Sequence, residues 1–128
     1  MILKDVRVLD ITDSKGMLCG KLLADMGAEV IRIDKPESTA PNVYAAAGKR
    51  SITLDITKAA GQELFKRLTS VSDILLESFY PYTLDKLGIG YQACSKINHG
   101  LIVCSITPFG QDGPYSSYHA SDLIAGSL

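Results

Sequence analysis

Five short runs of β-branched and other apolar residues punctuate this sequence, at 6–11, 29–33, 52–55, 73–77 and 101–106, and helical spacing of apolar residues recurs between them. That alternation restricts the fold more than any other feature. Strands separated by a helix are too far apart in the chain for tight hairpins, and they pair in parallel through right-handed crossovers. The expected fold class is therefore α/β, a Rossmann-like and mostly parallel sheet with helices on both faces. With 128 residues, 46% of them hydrophobic, the chain suffices for one domain with a modest core.

The connections support this reading. Thr12, Asp13 and Ser14 offer helix caps ahead of Met17, Leu18, Leu22, Leu23 and Met26, and Gly27 supplies a stop. Asp34, Lys35 and Pro36 close the second strand. Residues 37–47 are rich in Ser, Thr, Ala, Pro and Asn without periodicity, which predicts a long connection at or near a ligand site. Leu64, Phe65 and Leu68 mark the inner side of a helix over 58–71, with Lys66 and Arg67 nearer the outer side. Pro81 is expected to open a short helix over 81–87, and a further helix is expected over 91–97. After a loop dense in Gly and Pro at 107–115, Ser121 and Asp122 could cap a helix beginning at Leu123. The sequence ends soon after, so the expectation is a truncated piece of a longer chain.

Charge removes several functions. Thirteen basic against fourteen acidic residues leave a net charge of −1, which supports neither nucleic-acid binding nor attachment to an anionic membrane surface. No apolar run has the length of a membrane span. Cys19, Cys94 and Cys104 lack metal-ligand spacing and read as buried reduced thiols of a cytoplasmic protein. With His99 and His119 far apart, no metal is expected. Gly16 and Gly20 follow a strand and Asp34 ends the next, partly imitating a dinucleotide site. That fingerprint needs three glycines, and a P-loop needs one more intervening residue and a Ser or Thr where Leu22 stands. The two glycines read instead as sites of close backbone approach.

In an open α/β sheet, ligands bind beyond the carboxyl ends of the strands. Phe79 and Tyr80 follow the fourth strand, Lys49 and Arg50 precede the third, and Lys86 lies one helical turn past Tyr82. By themselves Lys49 and Arg50 fit an ordinary solvated surface. As a set, these residues offer cations that can meet phosphate and rings that can stack on a flat group.

Four collinear runs give that set a context: LLADMGAEVI at 22–31, GKRSITLD at 48–55, LDKLG at 84–88 and the segment 105–114. Together they resemble the family III coenzyme A transferases, which include formyl-CoA transferase, carnitine CoA-transferase and the bile-acid-inducible F protein, with α-methylacyl-CoA racemase as a relative. The resemblance implies an acyl-CoA:carboxylate CoA-transferase in which residues 1–128 form the amino-terminal, CoA-binding portion of the large Rossmann-like domain. It implies CoA or acyl-CoA as substrate, a small carboxylic acid as partner and an interlocked homodimer. The family's nucleophile is an aspartate beyond the segment matching Asp122, so no catalytic residue is expected here and the chain alone should be inactive.

Carried over by position, Lys49, Ser78, Phe79, Tyr80, Lys86 and Leu87 are the implied CoA contacts, with Arg50 beside Lys49 and with Lys35 and His119 near further contact points. The family often has Asn at Ser78, Gly at Tyr80 and Arg at Lys86. Tyr80 adds bulk where the backbone would approach the ligand, and Lys86 gives up a bidentate fork. The racemase relative places a catalytic histidine where this chain has Ser121, and serine cannot serve as that base. The alternative is a non-catalytic module binding CoA or another nucleotide, NAD included.

Overall fold

The computed structural model describes residues 1–38 and 43–127. Five strands, β1 (Arg7–Ile11), β2 (Glu29–Asp34), β3 (Arg50–Thr53), β4 (Ile74–Glu77) and β5 (Ile102–Ser105), form one sheet in the order β3-β2-β1-β4-β5. Every neighbouring pair is parallel. The α/β expectation therefore holds, and the chain reverses its direction of travel across the sheet after β3, leaving β1 between the two halves.

Alternate residues of the strands build separate cores on the two faces, as the pleat requires. Leu9, Ile11, Ile33 and Leu75 pack with Phe65 of α3 (Ala59–Ser70) and Cys94 of α5 (Tyr91–Ile97). Val8, Val30 and Leu76 pack with Cys19, Leu23 and Ala24 of α1 (Met17–Asp25). Phe65, Leu9, Leu75, Val8 and Val30 are essentially fully buried, each contributing about 1.5 to 3 kcal/mol relative to an exposed side chain.

Three local expectations change. The helix-capping side chains of Thr12 and Asp13 are engaged elsewhere, and α1 starts at Met17 behind Gly16 with no side-chain cap. Its far end does use Gly27, whose φ of 103° lets the Gly27 and Ala28 amides close on the Ala24 and Leu23 carbonyls at 3.0 Å each. The stretch expected to be a long irregular connection contains a short helix, α2 (Val43–Ala46), while positions 39–42 of it lie outside the described residues. Pro81 stands ahead of α4 (Thr83–Lys86) instead of inside it, because Tyr82 takes a left-handed conformation with φ 63° before the helix begins. The final helix, α6 (Asp122–Ser127), is capped as expected: the Ser121 hydroxyl accepts from the Ile124 amide at 3.4 Å.

Candidate functional site

A cavity of about 450 Å³ opens beyond the carboxyl ends of β1, β2 and β4, where the strand order reverses. This is the position at which an open parallel sheet leaves room for a ligand. Ile11, Ile33, Leu54 and Ile56 give it an apolar floor, and Phe79 adds an aromatic wall. Charge is confined to the rim, where Asp13, Lys15, Arg32, Asp34 and Lys35 stand.

The walls are cross-linked. Asp13, just after β1, donates its amide to Ser78 Oγ at 2.8 Å, and the Ser78 hydroxyl returns a bond to Asp13 Oδ1 at 2.9 Å. Ser78 is buried, so its hydroxyl is a strut joining the β1 and β4 loops. Asp13 also receives the Lys15 ammonium and, at 2.9 Å, the Lys15 amide. Burial pushes the Asp13 carboxyl up, but the bonds from Lys15 and Ser78 outweigh it and hold the carboxyl below its ordinary value. On the β4 side, buried Glu77 accepts the Phe79 amide at 2.8 Å and so fixes the bend that presents the ring.

The rim cations differ in their commitments. Arg32 is paired through Nε with Asp34 Oδ1 at 2.7 Å, and Lys15 with Asp13. Lys35 has no ion pair among the described residues, and its ammonium lies 5.8 Å from the centroid of the Phe79 ring. A cation above an aromatic face, at the mouth of an apolar slot, suits a flat heteroaromatic group bearing phosphate. Among the described residues, no group of three His, Cys, Asp or Glu side chains is placed to hold a metal.

The seven residues expected to contact a ligand separate into two groups. Ser78, Phe79 and Tyr80 line the cavity. Lys49 does not: its ammonium is bonded to Asp10 Oδ2 at 2.6 Å and to the Met17 carbonyl at 3.1 Å, with 1% of the side chain exposed. Asp10 completes the cluster by accepting the Thr12 amide at 3.0 Å and hydroxyl at 2.6 Å. A Cβ on Gly20 would stand 2.2 Å from Asp10 Oδ2, which is why α1 carries glycine there. Gly16 has a similar role, since its Cβ would meet the Thr12 side chain at 2.6 Å.

Arg50 reaches away from the crevice toward the amino edge of the sheet. There its guanidinium lies 2.9 Å from Glu29 Oε1, while Arg7 holds Glu29 Oε2 at 2.7 Å. The neighbouring Arg7 bond comes first among the causes that hold the Glu29 carboxyl below its ordinary value. Lys86 is exposed on α4, outside the lining of the cavity, and Leu87 packs against the core beneath it. The rim residues Lys15 and Arg32 escaped the sequence reading because nothing in their spacing marks them; they come from the loop after β1 and from β2, neighbours in the sheet.

Tyr80 also borders a second cavity of about 380 Å³, together with Thr83, Tyr82, Tyr91, Glu77 and Asp85. The Tyr80 hydroxyl is hydrogen-bonded to His119 Nδ1, and the two rings meet edge to face with centroids 5.0 Å apart. Nearby, the Tyr82 hydroxyl donates to Asp112 Oδ1 at 3.1 Å, and the Asp112 bond and charge raise the Tyr82 phenol above its usual range. The backbone at Tyr80 does not itself call for the glycine the family often has there; among the described non-glycine residues only Tyr82 has positive φ.

Comparison with known proteins gives this geometry a family. The model of "CoA-transferase family III" matches residues 3–128. A succinyl-CoA:(R)-benzylsuccinate CoA-transferase subunit from Thauera aromatica is 36% identical over 140 aligned positions, covering 95% of this chain and 34% of that protein. An alpha-methylacyl-CoA racemase from Mus musculus is 36% identical over 96% of this chain and 32% of its own length. The crystal structure of a CAIB/BAIF family protein from Brucella suis superposes with a TM-score of 0.86 at 34% identity, over 94% of this chain and 37% of that one. The chain thus spans about a third of the length of these relatives. With a parallel sheet of the same shape and a match along nearly its whole length, the chain belongs to CoA-transferase family III.

Proposed function

We propose that this chain is the coenzyme A-binding portion of an acyl-CoA:carboxylate CoA-transferase, and that the crevice beyond β1, β2 and β4 holds the nucleotide end of CoA. The observation that carries the proposal is the Lys35 ammonium poised over the Phe79 ring at the mouth of an apolar cavity. Adenine would lie along Phe79 and the isoleucine floor, burying its faces while its edges remain near the polar rim. The 3′-phosphate would meet Lys35 as a point charge, with Lys15 next along the rim. Ser78 would act by holding the two walls at fixed separation through Asp13.

Acyl transfer in this reading needs a carboxylate nucleophile from sequence beyond the region matched by residues 1–128, and no residue of this chain is assigned to catalysis. A small carboxylic acid is the acceptor and a homodimer the working assembly. A racemase reading has the 36% identity with the mouse racemase in its favour but is not adopted, because the resemblance puts its base at the position of Ser121, whose hydroxyl caps α6.

Calorimetric titration with CoA, 3′-dephospho-CoA and NAD tests the proposal. CoA is expected to bind about tenfold more tightly than 3′-dephospho-CoA, and Lys35→Ala should remove most of that difference. Raised salt should weaken CoA binding to the unaltered chain. Equal affinity for CoA and 3′-dephospho-CoA, or a preference for NAD, would overturn it.

A further inference from the structure

We infer that Tyr80, positioned by His119, is a movable partition that decides whether a ligand occupying the crevice can extend along the sheet; the inference rests on the CoA reading above. The two cavities at the carboxyl ends of the strands share Tyr80 and Thr83 as a common wall. The first has the apolar floor and cationic rim that suit a nucleotide. The second runs between the ends of β4 and β5, past Leu84, Val103 and Ser105, and is bordered by tyrosine rings. It suits a slender, mixed polar and apolar chain, and the pantetheine arm is such a chain.

A ligand with both parts must cross the shared wall. Thr83 is part of α4 and moves only with the helix, whereas Tyr80 lies in the loop before it and is 43% exposed. An exposed side chain of this kind changes rotamer freely unless something holds it. His119 does so, accepting or donating at the phenol oxygen and meeting the ring edge to face. The contact spans 39 positions of sequence, tying the loop after β4 to the segment that follows β5. His119 is itself exposed, so the tie closes the wall without being part of the core.

The consequence is a selective one. A ligand confined to the first cavity binds whichever way Tyr80 points, but one that crosses the wall binds only the open state. Its apparent affinity is reduced by the fraction of molecules that are open. If about a tenth are open, the extended ligand loses about tenfold and the compact one nothing. Tyr80 is thus a specificity-determining residue and His119 a positioning residue acting through it.

The test compares CoA with adenosine 3′,5′-bisphosphate, which carries the 3′-phosphate but lacks the arm, by calorimetry on the unaltered chain, Tyr80→Gly and His119→Ala. Circular dichroism establishes that each is folded, and His119→Ala removes the tie from an exposed position should Tyr80→Gly disturb the loop. The expected result is a ratio of CoA to bisphosphate affinity raised about tenfold in both variants, with the bisphosphate affinity itself unchanged in His119→Ala. A general structural effect would move both ligands together, so the ratio of the two affinities is the decisive readout. Bisphosphate binding with the same CoA affinity in all three proteins would overturn the partition alone. Absence of binding by either ligand to any folded form would overturn the nucleotide crevice and the partition with it.

Discussion

Lys49 shows how far a side chain's role can depart from its residue type. A lysine beside an arginine invites assignment to phosphate, yet this one is buried against Asp10, the first turn of α1 and the space left by Gly20. Breaking a buried pair by removing one partner strands the other charge, at a cost of about 3 to 5 kcal/mol. Lys49→Met should therefore lower the unfolding free energy obtained from urea titration by that amount, and an unchanged value would contradict the pin. Asp13 carries a different dependence, on pH. Its carboxyl lies below its ordinary value in the folded state, so its contribution is complete above the unfolded value of about 3.9 and is lost as pH falls through the folded one. In unfolding titrations the stability gap between the unaltered chain and Asp13→Asn should be present near neutral pH and close in acid; a gap independent of pH would refute the assignment.

At the scale of elements, the β4–α4 connection is where local preference and tertiary demand conflict. Tyr82 precedes α4 in a left-handed conformation that costs a residue with a Cβ about 1 to 2 kcal/mol. Its hydroxyl bond to Asp112 ties it to the segment after β5 and offsets part of that cost. Tyr82→Gly is expected to melt higher than Tyr82→Ala, with a difference of about 1 kcal/mol. Inside a helix the order would be the reverse, so a higher melting point for the alanine variant would show that the backbone at 82 does not need this conformation. The same connection explains the displaced helix start: Pro81 fixes its own φ but the chain must still turn at 82 before hydrogen bonding can begin.

For the molecule as a whole, the architecture was legible because period and spacing are properties of the sequence itself. Val8 and Leu9 belong to opposite cores by the pleat alone, and Phe65 reaches its core by helical spacing. The end of the sheet that carries the crevice was legible for a similar reason, since helical crossovers make the strands parallel and ligands gather beyond their carboxyl ends; the strand order was not. Which cations face it was not. Arg32 reaches the rim from β2 and Lys15 from the loop after β1, while Ser78, expected to contact the ligand, lines the cavity with its hydroxyl committed to Asp13. Lys86 could not be placed because α4 is a single turn, and its facing depends on the left-handed residue before it.

Adjacent in the chain, Lys49 and Arg50 send their charges in opposite directions along the sheet, one to Asp10 beneath α1 and the other to Glu29 at the amino edge. Their proximity in sequence is therefore no record of a shared partner. A change at 49 has to be answered at 10, because either charge left alone would be buried without its partner, and the room for both depends on the glycine at 20. Arg50, whose side chain is 78% exposed and whose carboxylate partner already has Arg7, is open to independent replacement.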